Sequence, residues 1–330
     1  KTAYEIRLSL VGSEMCIRDR SLPKPNLIVT NYPSPELCLA SSSFASLNKI
    51  PLYVDVRDPW PDSFAEYFPF WKQALVYPLV AYYRGVLSRS LKLATGIVSI
   101  SNYMLDWAMQ YSGRNKSQND IVFYLGSKRP VAWSMPEFIS SFSKENPLRL
   151  VFVGSFGKSY NIDLLIRAFR ILSEQGEDRF TLDLIGDGEL VANYKELASG
   201  LQGIKFHGWC NEEKMSLILK VCHIGLIPIT GGVSKYWIGN KLFEYAGFGL
   251  AIINTTPNEA YEIVSKEDMG FNLRQNDPHI LAKIIKNYLD NPNILKRHRE
   301  NSLKLFDSSF DAEKIYADYV KHIIAPSESK

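Results

Sequence analysis

Short apolar segments alternate with amphipathic ones along the second half of this 330-residue chain. We predict helices at 162–175, 191–199, 212–221 and 241–247. Strands are predicted between and around them, at 148–153, 180–185, 204–206, 224–228 and 251–254. Strands that alternate with helices of about ten residues are typical of βαβ units, which build parallel sheets. The pattern therefore predicts a parallel α/β domain.

The first half shows a less regular form of the same alternation. Strands are predicted at 26–30, 51–56, 96–101 and 121–125, and helical segments at 36–47, 67–93 and 104–111. Residues 126–147 are polar, contain three prolines and have no clear period, so we predict a linker there. A chain of this length suggests about two domains. We expect two Rossmann-like domains in tandem.

The composition excludes several classes of protein. Hydrophobic residues make up 46% and charged residues 22% of the chain, and the net charge of +3 gives no basic excess for nucleic-acid binding. The longest apolar run, 74–83, is about half the length that a transmembrane helix needs. No C-x-x-C spacing joins Cys16, Cys38, Cys210 and Cys222. We therefore expect a soluble protein with reduced thiols, located in the cytoplasm.

The first twenty residues, KTAYEIRLSLVGSEMCIRDR, differ in character from the rest. They lack the order of charged, apolar and small-residue regions that marks a signal peptide. The stretch resembles translated sequencing-adapter read-through, a contaminant of assembled metagenomic genes. The alternative is a genuine strand and loop. We expect residues 1–20 to be foreign and the first domain, from residue 21, to lack its native start.

Two glycine-containing loops follow predicted strands, where parallel sheets bind ligands. The first contains Gly154, Ser155, Gly157 and Lys158, whose amides and charge suit a phosphate. It is neither G-x-G-x-x-G nor a P-loop, and a tight turn without ligand is the alternative. The second loop contains Gly186 and Gly188, and Asp-Gly there is also ordinary turn chemistry.

A third loop, 231–239, runs into the helix predicted at 241–247. Asn240 and Lys241 fall in the first turn of that helix, and Glu244 follows at i+3 from Lys241. Helix N-termini bind anions through their free N–H groups, and a lysine strengthens the site. Glu244 would then accept hydrogen bonds from sugar hydroxyls. The alternative is a plain Lys–Glu pair on the surface.

A rigid loop follows the strand predicted at 51–56. Within VDVRDPWPDS (54–63), Arg57 and Asp58 could face a cleft, and the alternative is a structural Arg–Asp ion pair within the motif. The five histidines have no metal-ligand spacing and no D-x-D occurs. We therefore expect no metal site.

In this order, the segments resemble the GT-B glycosyltransferases of family 4, a retaining group that uses nucleotide sugars. The likeness is greatest to bacterial cell-envelope polysaccharide enzymes of the aminosugar-transferase type. It is carried by residues 26–35, 54–63, 153–161, 184–188, 206–209, 240–249 and 307–322. The resemblance implies two Rossmann-like domains with parallel sheets that face each other across a cleft. It implies an acceptor-side domain at 21–147, a donor-binding domain at 148–305, and a helix with a polar tail at 306–330 that crosses back.

The resemblance also implies roles for single residues. Glu244 matches the glutamate that holds the donor ribose, while Lys241, Asn240 and the Gly239 amide lie where the diphosphate binds. Gly154, Ser155 and Gly157 match the glycine-rich turn that faces the same phosphates, and Trp209 and Cys210 follow the strand beside which the base packs. Arg57 and Asp58 occupy the strand end where relatives carry a catalytic His-Asp. Three positions depart from the pattern: Tyr236 replaces a glutamate, and Ser155 and Tyr160 replace an arginine and a lysine.

The function implied is hexosyl or aminosugar transfer from a UDP- or GDP-linked sugar to a lipid-linked or saccharide acceptor, without a separate cofactor. One alternative is a nucleotide-sugar 2-epimerase of the same fold. The other is a non-catalytic nucleotide-sugar-binding protein, which Tyr236 favours. Because the first domain would lack its leading strands, we expect this chain to be inactive or nearly so.

The segment 67–93 combines many aromatic and aliphatic residues with Lys72, Arg84, Arg89 and Lys92. A basic, aromatic helix of this kind can lie in a lipid headgroup region. Peripheral contact with the inner face of the cell membrane is one prediction. A helix that packs in the core of the first domain is the alternative.

Overall fold

The computed structural model describes residues 24–66, 68–130, 135, 140–229, 236 and 238–328. The segment predicted to be foreign, 1–20, lies outside these residues. Most of the third glycine-containing loop, 231–235, and position 237 also lie outside them.

The first sheet has four parallel strands in the order β1-β2-β3-β4. They are β1 (Ile28–Tyr32), β2 (Leu52–Val56), β3 (Gly96–Ser99) and β4 (Ile121–Val122). The helices between them are α1 (Pro35–Asn48), α2 (Asp62–Glu66), α3 (Phe70–Leu93) and α4 (Asn102–Ser112). Strand β4 is shorter than the predicted 121–125, and the side chain of Tyr124, just after it, donates a hydrogen bond to Glu259 in the other half of the molecule.

The second sheet has six parallel strands in the order β10-β9-β8-β5-β6-β7. The strands are β5 (Leu148–Val153), β6 (Phe180–Ile185), β7 (Ile204–Gly208), β8 (Ile224–Ile227), β9 (Ala251–Asn254) and β10 (Gly270–Asn272). The helices are α5 (Ile162–Glu174), α6 (Val191–Leu197), α7 (Glu212–Leu219), α8 (Asn240–Gly247), α9 (Glu259–Lys266), α10 (Pro278–Asp290) and α11 (Pro292–Leu305). Every residue of β8 and β9 is buried, as expected for parallel strands covered on both faces. The prediction of two parallel α/β domains is confirmed.

The chain ends differently from the single helix predicted at 307–322. Residues Phe306–Phe310 form a π-helical turn, and a separate helix, α12, spans Ala312–Glu328. The buried rings of Phe306 and Phe310 interrupt the α-helical repeat, and the Phe306 ring packs against Gly247, where a Cβ would lie 2.9 Å from it. Helix α12 then packs Ile323 against Tyr53 and Val98 of the first sheet.

The loop between β2 and α2 is fixed by Asp62, the first residue of α2. Its carboxylate accepts hydrogen bonds from Arg84 Nε, Trp107 Nε1 and the Tyr111 hydroxyl, each at 2.8 Å. The Tyr32 hydroxyl donates to the Trp60 carbonyl at 2.8 Å. The rigidity predicted for 57–63 therefore comes from side chains of α3 and α4, and the helix begins within that segment.

The carboxyl ends of the two sheets face each other. Ser101, just after β3, donates a 2.6 Å hydrogen bond from its hydroxyl to the carbonyl of Tyr236, which lies between β8 and α8. The Asn102 amide, at the start of α4, donates to Glu259 at 2.6 Å. Among the helices that the structure describes, none is both long and apolar enough to cross a bilayer.

Candidate active site

The loops after β5 and β6 pack directly on each other. The Gly154 amide donates to the Ile185 carbonyl, and the Phe156 amide donates to the Asp187 carbonyl, both at 2.9 Å. Gly186 has a φ of +139°, and a Cβ at this position would lie 1.8 Å from the Gly154 carbonyl oxygen. Only glycine permits that approach. Gly186 and Gly188 therefore hold the first glycine-containing loop in place through backbone packing.

Lys241 lies against this loop from the first turn of α8. A Cβ on Gly154 would be 3.1 Å from both Cε and Nζ of Lys241, so the missing side chain makes room for the ammonium group. Nζ donates a 2.7 Å hydrogen bond to the Tyr160 hydroxyl and lies 4.1 Å from the Tyr160 ring centroid. No carboxylate of the described residues lies within ion-pair distance of Nζ, so the alternative of a Lys241–Glu244 pair is not what forms.

Tyr160 is itself held at the end of the sheet. It forms a short antiparallel bridge with Ile229, and the neighbouring Asn161 amide donates to the Pro228 carbonyl at 2.6 Å. The Asn161 side chain also caps α5 by accepting from the Leu164 amide at 3.0 Å. The loop after β5 is thus fixed at both ends. Tyr160 orients the Lys241 ammonium, although no spacing in the sequence indicated this contact.

No side chain of the described residues caps the N-terminus of α8. Gly239 is its N-cap residue, and the exposed Asn240 is its first residue. The first N–H groups of an uncapped helix are free to bind an anion. Ser155 and Lys158 are exposed on the facing loop. This edge of the second sheet can therefore hold a diphosphate between the α8 amides, Lys241 and the loop after β5.

Glu244 lies one helical turn further along α8. Its side chain lines a cavity of about 760 Å³ between α7, α8 and residues 127–130. Burial raises the pKa of Glu244, Lys241 acts to lower that pKa, and Glu212 adds to the rise. Pockets of this volume suit small organic ligands. A carboxylate kept in such a pocket is well placed to accept hydrogen bonds from ligand hydroxyls.

Trp209 and Cys210 follow β7 at the same edge of the sheet. The indole of Trp209 is 77% exposed, which is unusual for a side chain of its size. Cys210 is half-buried and packs against the core beneath α8. The Trp209 ring therefore offers a flat apolar surface on which an aromatic base could stack.

Comparison with known proteins agrees with this geometry. Residues 147–291 match the family described as Glycosyl transferases group 1. An uncharacterized glycosyltransferase of Methanocaldococcus jannaschii is 26% identical over 179 residues, which are 54% of this chain and 45% of that protein. The O-antigen chain mannosyltransferase C of Escherichia coli is 24% identical over 183 residues, 54% of this chain and 47% of that protein. The chain spans about half the length of the curated relatives it matches.

The crystal structure of Anabaena HepE in complex with UDP superposes on this chain with a TM-score of 0.68. The match covers 90% of this chain and 78% of that chain, at 16% sequence identity. The fold is GT-B. The predicted fold class is therefore confirmed, and the group 1 match falls on the GT-B half that carries Gly154, Lys241 and Glu244.

Arg57 and Asp58 lie in the other GT-B half and do not pair with each other. Arg57 donates from Nε and Nη2 to Asp55 at 2.9 and 2.8 Å, and Asp58 accepts from the Ser63 hydroxyl at 2.9 Å. Within the described ranges, no hydrogen bond or ion pair joins either residue to Lys241 or Glu244. The structural ion pair considered for this motif exists, with Asp55 as the partner. A catalytic role of Arg57 and Asp58 stays a prediction.

Tyr236 contacts the first GT-B domain. Its ring centroid lies 6.3 Å from that of Trp107, and its carbonyl accepts the Ser101 hydrogen bond described above. The residue that replaces the expected glutamate therefore packs across the cleft.

His, Cys, Asp and Glu side chains of the described residues form no group of three that could hold a metal ion. The expectation of a site without metal stays a prediction.

The raised pKa of Glu244 gives a stability prediction. Below its ordinary value near 4.5, the carboxyl is neutral in both the folded and the unfolded chain. As the pH rises through the raised pKa, the folded state must hold a buried charge, so this group's favourable contribution to stability is lost. We expect Glu244→Gln to raise the melting temperature by about 2–4 °C at pH 7 and to leave it unchanged at pH 4.

The control is Glu213→Gln, because Glu213 is an exposed carboxylate that lines the same cavity. This variant should melt within about 1 °C of the wild type at both pH values. An equal gain for Glu244→Gln at pH 4 and pH 7 would show that burial of the charge is not the cause.

Proposed function

We propose that the chain binds a nucleotide diphosphate sugar at the edge of its second sheet and transfers the sugar with retention of configuration. The observation that carries the proposal is the Lys241 ammonium, which lies beside Gly154 and the uncapped start of α8 without an acidic partner among the described residues. Such a cation suits a group whose negative charge grows during the reaction.

The chemistry needs little from the protein beyond electrostatic stabilisation. The bond between the sugar C1 and the phosphate oxygen breaks, and its electron pair stays on the departing diphosphate. An acceptor hydroxyl forms the new bond to C1 on the same face, and its proton passes to a phosphate oxygen. Lys241 and the amides of α8 and the β5 loop would stabilise the developing charge. No nucleophile from the protein is required.

Glu244 and Trp209 would position the nucleoside half of the donor. The Glu244 carboxylate would accept hydrogen bonds from the ribose hydroxyls, and the exposed Trp209 indole would stack on the base. Cys210 would pack beside the base. Gly188 allows the loop after β6 to approach the loop after β5, and Gly157, where a Cβ would meet no other atom, would leave room for the phosphates. The UDP complex of Anabaena HepE supports uridine diphosphate as the first donor to test.

The acceptor we propose is a lipid-linked or saccharide intermediate of bacterial envelope polysaccharide synthesis, and the sugar a hexose or aminosugar. Support comes from the Escherichia coli relative, an O-antigen chain mannosyltransferase. The thiols of Cys38, Cys210 and Cys222 are free. Free thiols support a reducing compartment, so we place the reaction on the cytoplasmic side.

The test is calorimetric titration of the 330-residue chain with UDP, GDP and their glucose, mannose and N-acetylglucosamine conjugates. We expect saturable binding of one nucleotide series and none of AMP. The absence of binding to every member would overturn the proposal. Product analysis then separates the alternatives. Release of an epimerised sugar nucleotide would identify an epimerase, and binding without turnover of any sugar nucleotide would identify a binding protein.

A further inference from the structure

Helices α1 and α3 of the first domain leave an apolar area open to solvent. We call it the two-helix surface. It consists of Leu37, Phe44 and Leu47 of α1 and Trp71, Leu75, Leu79 and Tyr82 of α3, all exposed. The largest exposed fractions are 84% at Leu47, 78% at Leu75 and 69% at Trp71. Contiguous exposed apolar areas of this kind mark interaction sites in soluble proteins.

The surface follows helical periodicity. Trp71, Leu75 and Tyr82 are spaced i, i+4 and i+11, so they share one side of α3. Val80 and Leu87, on the opposite side, are buried in the core of the first domain. Helix α3 is therefore apolar on two sides, and only one side is covered by the described residues. The core-packing alternative is correct for the buried side alone.

The two helices lie side by side and run in the same direction. The Tyr83 hydroxyl donates to Glu36 near the start of α1, and six residues further along α1 the Ser42 hydroxyl donates to the Ser90 carbonyl at 3.3 Å. Residues further along α1 thus contact residues further along α3. The two helices are therefore parallel neighbours, and their exposed side chains form one extended area.

The charges beside the two-helix surface indicate what kind of partner it can bind. The α3 sequence contains four basic residues and no acidic one. Arg84 forms an ion pair with Asp62, whereas Lys72, Arg89 and Lys92 are exposed and lie in no ion pair of the described residues. A second copy docked on the same surface would bring like charges together. An anionic surface would neutralise them.

We propose that the two-helix surface binds an anionic lipid bilayer, with α3 lying in the headgroup region. Trp and Tyr favour this region because their rings are apolar and their N–H and O–H groups remain hydrated. Basic residues beside an apolar helical stripe add electrostatic attraction to anionic lipids. The inference is independent of sugar transfer, because none of these side chains belongs to the donor site.

The test is co-sedimentation of the full chain with vesicles, at about 0.1 M salt, where attraction to lipid is not fully screened. We expect at least tenfold stronger partitioning into vesicles with about half phosphatidylglycerol than into pure phosphatidylcholine. The triple variant Lys72→Glu, Arg89→Glu and Lys92→Glu should lose at least tenfold of this partitioning.

A matched variant controls for net charge. Lys195→Glu, Lys205→Glu and Lys283→Glu change the net charge by the same amount at exposed positions of the second domain. This variant should keep its partitioning within about threefold of the wild type. If both triple variants lose binding equally, the attraction is not specific to the two-helix surface and the proposal fails.

The apolar contribution is tested separately by Trp71→Ser with Leu75→Ser. Both side chains are exposed, so the circular dichroism spectrum should not change, while partitioning should fall at least tenfold. Val221→Ser with Val320→Ser, at half-exposed positions elsewhere, should have no effect. Unchanged partitioning of the Trp71/Leu75 variant would overturn the proposal. So would a stable dimer that Leu75→Glu dissociates, because a second copy would then occupy the surface.

Discussion

Replacing Lys241 by alanine is expected to lower the rate of sugar transfer about 10²–10³-fold and to weaken UDP binding at least tenfold. Removing one preorganised group that stabilises developing charge costs enzymes about this much. Lys241 meets the condition of preorganisation, because the Tyr160 hydroxyl, the Tyr160 ring and the space above Gly154 fix its ammonium group.

The UDP affinity and the turnover rate test this prediction independently. In the proposed function, turnover requires an acceptor and both domains, whereas UDP binding requires only the edge of the second sheet. Lys195→Ala, at an exposed position on α6, is the matched control and should change neither quantity by more than about twofold. A Lys241→Ala protein with unchanged UDP affinity and unchanged turnover would exclude Lys241 from the donor site.

Lys241→Arg and Tyr160→Phe refine the test. Arginine keeps the charge, but its planar group is larger than the space beside Gly154, so we expect an intermediate loss. Phenylalanine keeps the ring beneath Nζ and removes only the 2.7 Å hydrogen bond. Its effect should therefore be much smaller than that of Lys241→Ala, at about tenfold or less.

The sequence predicts which residues meet at the edge of the second sheet, because local rules govern that edge, whereas their role in phosphate binding stays a prediction. Glycines directly after a strand and a lysine in the first turn of a helix indicate a possible anion site wherever they occur. This is because backbone conformation and free amides depend on residues that are near in the sequence. Gly154 and Lys241 were assigned to the same phosphates, and the structure places them in contact. The alternation of strands and helices likewise predicted most of both sheets.

Partners chosen by tertiary packing were not predictable in the same way. In the sequence, Tyr160 stands out only as a departure from the family pattern. In the structure, its hydroxyl accepts a hydrogen bond from Lys241. Arg57 pairs with Asp55 two residues earlier, because adjacent residues such as Arg57 and Asp58 point to opposite sides of an extended chain. The elements after residue 254, α9, β10, α10 and α11, are not among the predicted ones, although Leu281, Ile285 and Tyr288 recur at helical spacing along α10.

The cleft between the domains depends on a residue that the sequence did not single out. Glu259 begins α9 in the second domain and is 4% exposed. One carboxylate oxygen accepts from the Asn102 amide at 2.6 Å, at the start of α4 in the first domain. The other accepts from Asn102 Nδ2 at 2.6 Å and from the Tyr124 hydroxyl at 2.7 Å. A single carboxylate thus caps a helix of the opposite domain.

The electrostatics favour this contact. The carboxylate lies at the N-termini of two helices, α4 and its own α9, where the helix dipoles favour negative charge. Burial and the neighbouring Glu259 charge raise the pKa of Tyr124, so its hydroxyl keeps the proton that it donates. Hydrogen bonds to a charged group that is shielded from water are the stronger kind.

Glu259→Ala is therefore expected to lower the free energy of unfolding by about 3 kcal/mol, because it leaves the start of α4 and the Tyr124 hydroxyl without their acceptor. Hydrogen exchange at the Asn102 and Tyr103 amides should accelerate more than anywhere else in the described chain. Glu262→Ala is the matched control, because Glu262 lies on the same helix and, among the described residues, accepts a hydrogen bond from the Tyr103 hydroxyl alone. It should cost less than about 1 kcal/mol. UDP affinity should remain within about twofold in both variants, since every residue of the proposed donor site belongs to the second domain and none contacts Glu259 or Glu262 in the described residues. Unchanged exchange at Asn102 and Tyr103 in the Glu259→Ala protein would show that other contacts hold the two domains together.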